Sequence, residues 1–231
     1  MNEPEQSGRS SDFANWNELM FQKYGNERLY HHPNPVIRHI QRRRINTIVK
    51  MLHLKPHDAF LDAGTGEGFL FSHLPPSDVR IGVDLSTTAL EIARGREYHN
   101  VKWLHADLAQ LPLPNETFDK AVCSEVIEHV SEPRRVLVEL HRVLRPSGKL
   151  VLTIPFEARL NLVKDAILQR GWGRRMFPNI PIRTEWHLSD YSPHMLLQQI
   201  SGLFSVVEQR TLPYPGFGLG FAALCVKEPL S

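Results

Sequence analysis

Phe60-Leu61-Asp62-Ala63-Gly64-Thr65-Gly66-Glu67-Gly68-Phe69-Leu70 is the stretch on which the fold turns. An apolar run ends in an acid, glycines alternate through Gly64, Gly66 and Gly68, and apolar residues resume at Phe69. That pattern describes a strand turning sharply into a helix over a ligand that needs close backbone approach. Further marks of acid or glycine follow at the ends of successive predicted strands. They are Ile81-Gly82-Val83-Asp84-Leu85-Ser86, His105-Ala106-Asp107-Leu108, Val122-Cys123-Ser124-Glu125 and Leu144-Arg145-Pro146-Ser147-Gly148-Lys149, the last running into Leu150-Val151-Leu152-Thr153-Ile154. An open parallel sheet binds its ligand beyond the carboxyl ends of the strands, where the strand order reverses, so these marks outline one crevice.

Residue types specify what the crevice can hold. The Asp84 carboxylate can accept from both hydroxyls of an unphosphorylated ribose and would repel a 2′-phosphate. Asp107 can accept from an exocyclic amine while the Leu108 amide donates to a ring nitrogen, a pairing that suits adenine. The spacing G-x-G-x-G departs from the dinucleotide fingerprint G-x-G-x-x-G, because Phe69 stands where the third glycine would fall. A pyrophosphate ligand is therefore disfavoured.

With these motifs in this order, from about Phe60 to about Ile154, the chain resembles the class I S-adenosylmethionine-dependent methyltransferases, in the broad subgroup that includes the quinone-biosynthesis methyltransferases. The resemblance implies S-adenosyl-L-methionine as cofactor. It implies that Asp62 and the loop of Gly64, Thr65, Gly66 and Gly68 hold the methionine end, Asp84 with Leu85 the ribose, and Asp107 with Leu108 the adenine, with Glu125 also reaching the cofactor. It further implies a Rossmann-like α/β fold: a seven-stranded sheet in the order 3-2-1-4-5-7-6, strand 7 antiparallel, with helices on both faces.

Length and composition agree. A chain of 231 residues accommodates one α/β domain with appendages. A formal net charge of +2 is too mild to require nucleic acid or an acidic membrane as partner. Cys123 and Cys225 lie in apolar strand-like runs and read as buried reduced thiols without metal or redox spacing. The first dozen residues are polar, with Glu3, Glu5 and Asp12, which counts against a secretory signal, and no run approaches the roughly 18 apolar residues of a spanning helix. A cytoplasmic location is expected.

Residues 1–12 are expected to form a disordered tail, residues 13–55 a cap of N-terminal helices, and residues 56–231 the catalytic domain. The first cap helix is expected over Phe13 to Leu29. After Pro33-Asn34-Pro35, the spacing of Val36, Ile37, Ile40, Ile45, Ile48, Val49 and Leu52 predicts a second helix ending before Pro56. Arg42-Arg43-Arg44 interrupts that stripe and reads as a solvated surface, since three consecutive residues cannot share one helix face. Asp119 to Cys123 reads as the fourth strand, and a helix opening at Pro133 carries Val136, Leu137, Leu140, Val143 and Leu144 before stopping at Pro146 to Gly148. A helix from Ser192 to Leu203 and two runs, Phe204 to Leu212 and Leu219 to Lys227, around the turn Pro213 to Gly218 predict a closing antiparallel hairpin. A dinucleotide-binding domain would continue with parallel strands instead.

Methyl transfer from a sulfonium leaves the protein to align the acceptor, take its proton where necessary and exclude water. Glu125, Glu128 and His129, in Ser124-Glu125-Val126-Ile127-Glu128-His129-Val130, are the candidates for acid–base work, and an imidazole of ordinary pKa near 6.5 suits a base at neutral pH. The pattern E-x-x-E-H also resembles that of quinone-biosynthesis O-methyltransferases and small-RNA 2′-O-methyltransferases, in which acids and histidine can hold a divalent cation, with His187 here as a candidate fourth ligand. The histidine-rich segment of the RNA enzymes has no counterpart at Ile180 to Thr184, and transfer without metal is expected. Helix capping by Glu128 and His129 is the competing structural reading.

Acceptor choice falls to Tyr30-His31-His32 and to a lid-like insertion at 156–191. There Leu160, Leu162, Val163, Trp172, Met176 and Phe177 interleave with Arg159, Lys164, Arg170, Arg174, Arg175 and Arg183. That composition suits a lid over a lipid-like or anionic acceptor, or peripheral membrane contact through 156–183. The expected function is methyl transfer to oxygen or carbon of a small-molecule or lipid-like acceptor, ahead of an RNA 2′-O-methyltransferase and of a catalytically silent cofactor-binding module.

Overall fold

A computed structural model describes residues 3–24, 30–156, 191–214 and 217–229, together with Arg159 and Ala166. Short apolar runs become the strands β1 (Ala59–Ala63), β2 (Val79–Asp84), β3 (Val101–His105), β4 (Phe118–Ser124), β5 (Leu144–Pro155), β6 (Phe204–Tyr214) and β7 (Phe217–Lys227). They form one sheet in the order β3-β2-β1-β4-β5-β7-β6. Neighbours from β3 to β5 are parallel, whereas β7 runs antiparallel to both β5 and β6, as the sequence predicts.

Among the described residues, five α-helices surround the sheet: α1 (Glu3–Tyr24), α2 (Pro35–Leu52), α3 (Thr87–Arg94), α4 (Pro133–Val143) and α5 (Pro193–Ile200). Side chains alternate across the strands, so each face of the sheet has its own core. Leu61, Ala121, Cys123, Leu150, Leu152 and Cys225 pack on one side with Val136, Leu137 and Leu140 of α4 and with Leu196 and Ile200 of α5. Phe60, Val122, Val151, Ala222 and Leu224 pack on the other with Ile48, Met51 and Leu52 of α2. Both cysteines are buried and unbridged. Among the described residues, no helix is long and apolar enough to cross a membrane.

Local differences from the sequence reading have physical causes. Helix α1 begins at Glu3, within the stretch expected to be disordered, and ends at Tyr24 rather than Leu29. The helix after the glycine turn is one short 3-10 segment, Phe69–His73, because Pro75 and Pro76 follow at once. Helix α4 ends at Val143, and Leu144 already pairs with Phe118, so Arg145 to Gly148 becomes a register shift inside β5, with Ser147 at φ 61°. The insertion at 156–191, with Trp172, Phe177, Arg174, Arg175 and His187, lies outside the described residues apart from its ends, Arg159 and Ala166.

Helix α2 is fixed at both termini. The Asn34 side chain accepts from the Val36 amide at 2.9 Å, and Pro35 supplies the first turn. At the other end the last carbonyls of a helix lack partners within it. Lys120 of β4 reaches them, its Nζ donating to the Leu52 carbonyl at 2.8 Å and the His53 carbonyl at 3.3 Å. Replacing this buried ammonium by the apolar stem of Lys120→Met should therefore lower unfolding stability by about 1–3 kcal/mol. Urea unfolding with an unchanged midpoint would argue that the cap contributes nothing.

Candidate active site

The glycine loop is tied to the end of β2. Gly64 and Thr65 amides donate to the Val83 carbonyl at 2.8 and 2.9 Å, and the Gly66 amide donates to Asp84 Oδ2 at 2.7 Å. The other oxygen of Asp84 accepts from the Ser86 amide at 2.9 Å, while the Ser86 hydroxyl caps α3 through the Ala89 amide. Gly64 and Gly66 both have positive φ, at 78° and 54°, and their surroundings differ. A Cβ on Gly64 would collide with the Val126 side chain, whereas one on Gly66 would meet nothing within 4 Å. The Gly66 backbone is thus bare on the side where a ligand must come close.

Asp62, at the end of β1, is 4% exposed and accepts from the Thr65 hydroxyl at 2.8 Å. Burial pushes its carboxyl up to about 7 against the lowering effect of that bond, and the charge of Asp84 adds to the rise. Burial also raises Asp84, opposed by the Ser86, Gly66 and Leu85 amides. Glu18 of α1 reaches this edge, its Oε2 accepting from the Thr87 amide at 3.0 Å. Beyond β3, Asp107 Oδ1 accepts from the Ala109 amide at 2.8 Å, Leu108 is buried, and His105 Nε2 donates to the Leu85 carbonyl at 2.9 Å. The candidates for methionine, ribose and adenine therefore line one edge of the sheet in sequence order.

The end of β4 brings together the acid–base candidates and a residue that the sequence reading placed in solvent. Glu125 adopts φ 56°, a conformation that costs a non-glycine residue about 1–2 kcal/mol. Thr153 holds it there: the Glu125 amide donates to the Thr153 carbonyl at 3.1 Å, and the Thr153 hydroxyl donates to Glu125 Oε1 at 3.0 Å. With that proton committed, Ser124 Oγ donates to Thr153 Oγ1 across 2.8 Å. The other Glu125 oxygen pairs with Arg44 Nη1 at 3.0 Å. Arg44 Nη2 donates to the Tyr30 hydroxyl at 2.9 Å, and Tyr30 stacks on Phe69 with centroids 3.8 Å apart. Burial alone would lower the Arg44 pKa, but Tyr30, Glu125 and Glu128 outweigh it and keep the guanidinium charged.

Glu128 is 1% exposed, and its Oε1 lies 4.0 Å from His129 Nε2; both residues sit in the 3-10 turn Ile127–His129. The arginine triplet is therefore corrected. Arg42 is exposed, Arg43 lies over the Tyr214 ring, and Arg44 is 14% exposed inside the site. A signal for this was present, since Gln41, Arg44, Ile48 and Met51 recur at helical spacing on the buried side of α2. Among the described residues, no group of three or more His, Cys, Asp or Glu side chains is arranged to hold a metal ion, and His187 lies outside them.

Residues 61–152 match the family described as Methyltransferase domain. A probable S-adenosylmethionine-dependent methyltransferase of Mycobacterium tuberculosis is 41% identical over 97 residues, covering 41% of this chain and 35% of that protein. A demethylmenaquinone methyltransferase of Clavibacter sepedonicus is 35% identical over 98 residues, covering 41% of this chain and 40% of that protein. This chain thus spans well under half the length of these curated relatives. The crystal structure of the N-methyltransferase NodS of Bradyrhizobium japonicum, in complex with S-adenosyl-L-homocysteine, superposes with a TM-score of 0.64 at 17% identity, covering 91% of this chain and 99% of that one. Residues 61–152 thus carry a methyltransferase domain similar to those of S-adenosylmethionine-dependent methyltransferases, on a sheet with the fold of the N-methyltransferase NodS.

Asp62 makes the stability of the ligand-free protein depend on pH in a definite direction. Its carboxyl titrates near 7 when folded and near 3.8 when unperturbed. Below the lower value both folded and unfolded chains hold the proton. Between the two, only the unfolded chain releases it, so stability falls as pH rises and levels off above about 7. Asp62→Asn removes this dependence, and its melting temperature should gain on the parent more at pH 8 than at pH 5. An equal difference at both pH values would show that Asp62 is not held protonated.

Proposed function

We propose that this chain transfers the methyl group of S-adenosylmethionine to a small-molecule or lipid-like acceptor, at oxygen or carbon, and that it works in the cytoplasm. The observation that carries the proposal is the Asp84 carboxylate, braced by the Gly66 and Ser86 amides beside the bare Gly66 backbone. It lies next to the strand-order switch between β1 and β4, whose ends carry Asp62 and Glu125. We assign Asp84 and Leu85 to the ribose, Asp107 and Leu108 to the adenine, and Asp62 with Gly64, Thr65, Gly66 and Gly68 to the methionine end. An ammonium group at that end would draw Asp62 into its ionised form and release its proton.

When bound, the cofactor supplies an electrophilic methyl carbon on a sulfonium. The chain must then orient the acceptor and accept its proton. His129 is assigned as the base, with Glu128 close enough to stabilise the imidazolium that forms. Glu125 is committed to Arg44 and Thr153, so its assigned role is to hold the guanidinium in place rather than to take a proton. The match to the demethylmenaquinone methyltransferase supports a lipid-like acceptor. The insertion at 156–191 is assigned to acceptor closure, with membrane contact through 156–183.

Calorimetry with S-adenosyl-L-homocysteine tests this reading directly. Asp84→Ala should weaken binding by about ten- to a hundredfold, the loss expected for charge-assisted bonds to a diol. Gly66→Ala should fold with a cost of about 1–2 kcal/mol from its left-handed backbone yet lose most cofactor affinity. Unchanged affinity in folded Asp84→Ala, or tighter binding of NADH than of S-adenosylmethionine by the parent, would overturn the assignment.

A further inference from the structure

A second opening lies away from the strand ends, between α2 and β6. It is a groove of about 500 Å³, a size that suits a small molecule. Strand β6 is the edge of the sheet, three strands from β4, which puts the groove roughly 14 Å across the sheet from that strand. Helix phase separates the two places: Arg44 turns to Glu125, while Arg43, about 100° round the helix, turns to β6 and Tyr214. The Arg43 guanidinium lies 4.7 Å from the centroid of the Tyr214 ring, and the Tyr214 hydroxyl is bonded to His39 one turn earlier on α2. The ring positions the guanidinium without neutralising it, and among the described residues no carboxylate pairs with Arg43. Helix α2 itself contains Arg38, Arg42, Arg43, Arg44 and Lys50 and no acid. On the β6 side, Glu208 accepts from Arg210 Nε at 2.5 Å, which leaves both terminal nitrogens of Arg210 uncommitted among the described residues. Two hydroxyls line the groove with their protons already used: Thr47 Oγ1 donates to the Arg43 carbonyl at 2.9 Å and Thr211 Oγ1 to the Tyr214 carbonyl at 3.1 Å. Each keeps lone pairs to offer. Pro213 and Phe221 add apolar surface to the lining.

We propose that this groove is a binding site for a phosphorylated polyol, of which a sugar phosphate is the simplest case. A carboxylate has two oxygens and is satisfied by one guanidinium fork. A phosphate monoester has three terminal oxygens and up to two negative charges, enough to engage Arg43 and Arg210 together. The ring hydroxyls of the sugar then donate to Thr47 and Thr211, whose own protons are spoken for, and the C–H face of the ring lies against Pro213 and Phe221. A wholly apolar anion would leave both threonines unanswered, and a neutral sugar would leave Arg43 without a counter-charge. The groove shares α2 with the strand-end site but none of that site's side chains, so the inference does not rest on methyl transfer.

Glucose 6-phosphate and ribose 5-phosphate are the probes, with glucose, inorganic phosphate and glucuronate as references. Each is titrated into the full chain by calorimetry at about 0.15 M salt, where exposed charges beyond a Debye length of roughly 8 Å are screened. At least one sugar phosphate should bind about tenfold more tightly than any of the three references. Arg43→Gln and Arg210→Gln should each lower that affinity about tenfold. Arg42→Gln removes the same charge from an exposed neighbour outside the groove, and should change it by less than about twofold. Thr47→Val keeps every charge and should narrow the margin over inorganic phosphate. Saturating S-adenosyl-L-homocysteine should leave the titration unchanged. No binding of either sugar phosphate at millimolar concentration, an Arg42→Gln effect as large as that of Arg43→Gln, or displacement by S-adenosyl-L-homocysteine would overturn the site.

Discussion

The carboxyl ends of the strands in this molecule depend on one half-buried carboxylate. Asp84 accepts from Gly66 on one oxygen and from Ser86 on the other, so a single side chain joins the loop after β1 to the loop after β2. Burying a charge is costly unless it is hydrogen-bonded, and these backbone amides provide that compensation. The glycine loop needs the support because Gly64, Gly66 and Gly68 all take left-handed conformations and the helix that follows is a single 3-10 segment. A longer helix would have stabilised the loop by its own packing. Here the fixed points are Val83, Asp84 and the Trp103 ring, which lies against Gly68 and Gly82 where any Cβ would collide with it.

One face of the sheet is organised by α2, which lies antiparallel across β4. Its C-terminal carbonyls rest on Lys120 early in that strand, and Arg44 at its middle meets Glu125 just past the strand's end. Between these polar ties, Ile45, Ile48, Met51 and Leu52 are buried. The helix is thereby held as a strut whose sliding would break both bonds. The left-handed backbone of Glu125 fits this picture, since Thr153 and Arg44 each hold one of its carboxylate oxygens.

How much of this was legible in the sequence depended on whether local pattern or tertiary contact decided each residue. The strands, their order and the closing hairpin followed from apolar runs punctuated by acids and glycines, together with a family resemblance carried by those same residues. Asp62, Asp84, Asp107 and Leu108 could be placed because strand ends are local features. Arg44 could not be placed by composition, because three adjacent arginines look alike until helix phase separates them: Arg42 exposed, Arg43 exposed over Tyr214, Arg44 half-buried against Glu125. Lys120 is a similar case. A lysine inside an apolar strand gives no hint of the helix end it satisfies, since Leu52 and His53 are remote in sequence. The early start of α1 was missed because its polar residues lack an apolar stripe, and one of its anchors is the long-range bond from Thr87 to Glu18.

The family match begins at residue 61, after α2 has ended. The portion shared with relatives is therefore the portion that holds Asp62, the glycine loop and Asp84, while Tyr30 and Arg44 stand on a preceding segment joined to it by a few polar contacts. Two histories can be written on one chain in such an arrangement. A helix face can change without disturbing the strand ends beneath it, which are tied together by their own backbone bonds. A foreign α2 could be grafted onto this sheet with only the lysine cap and the Arg44–Glu125 pair to be kept, leaving the glycine loop and Asp84 as they are.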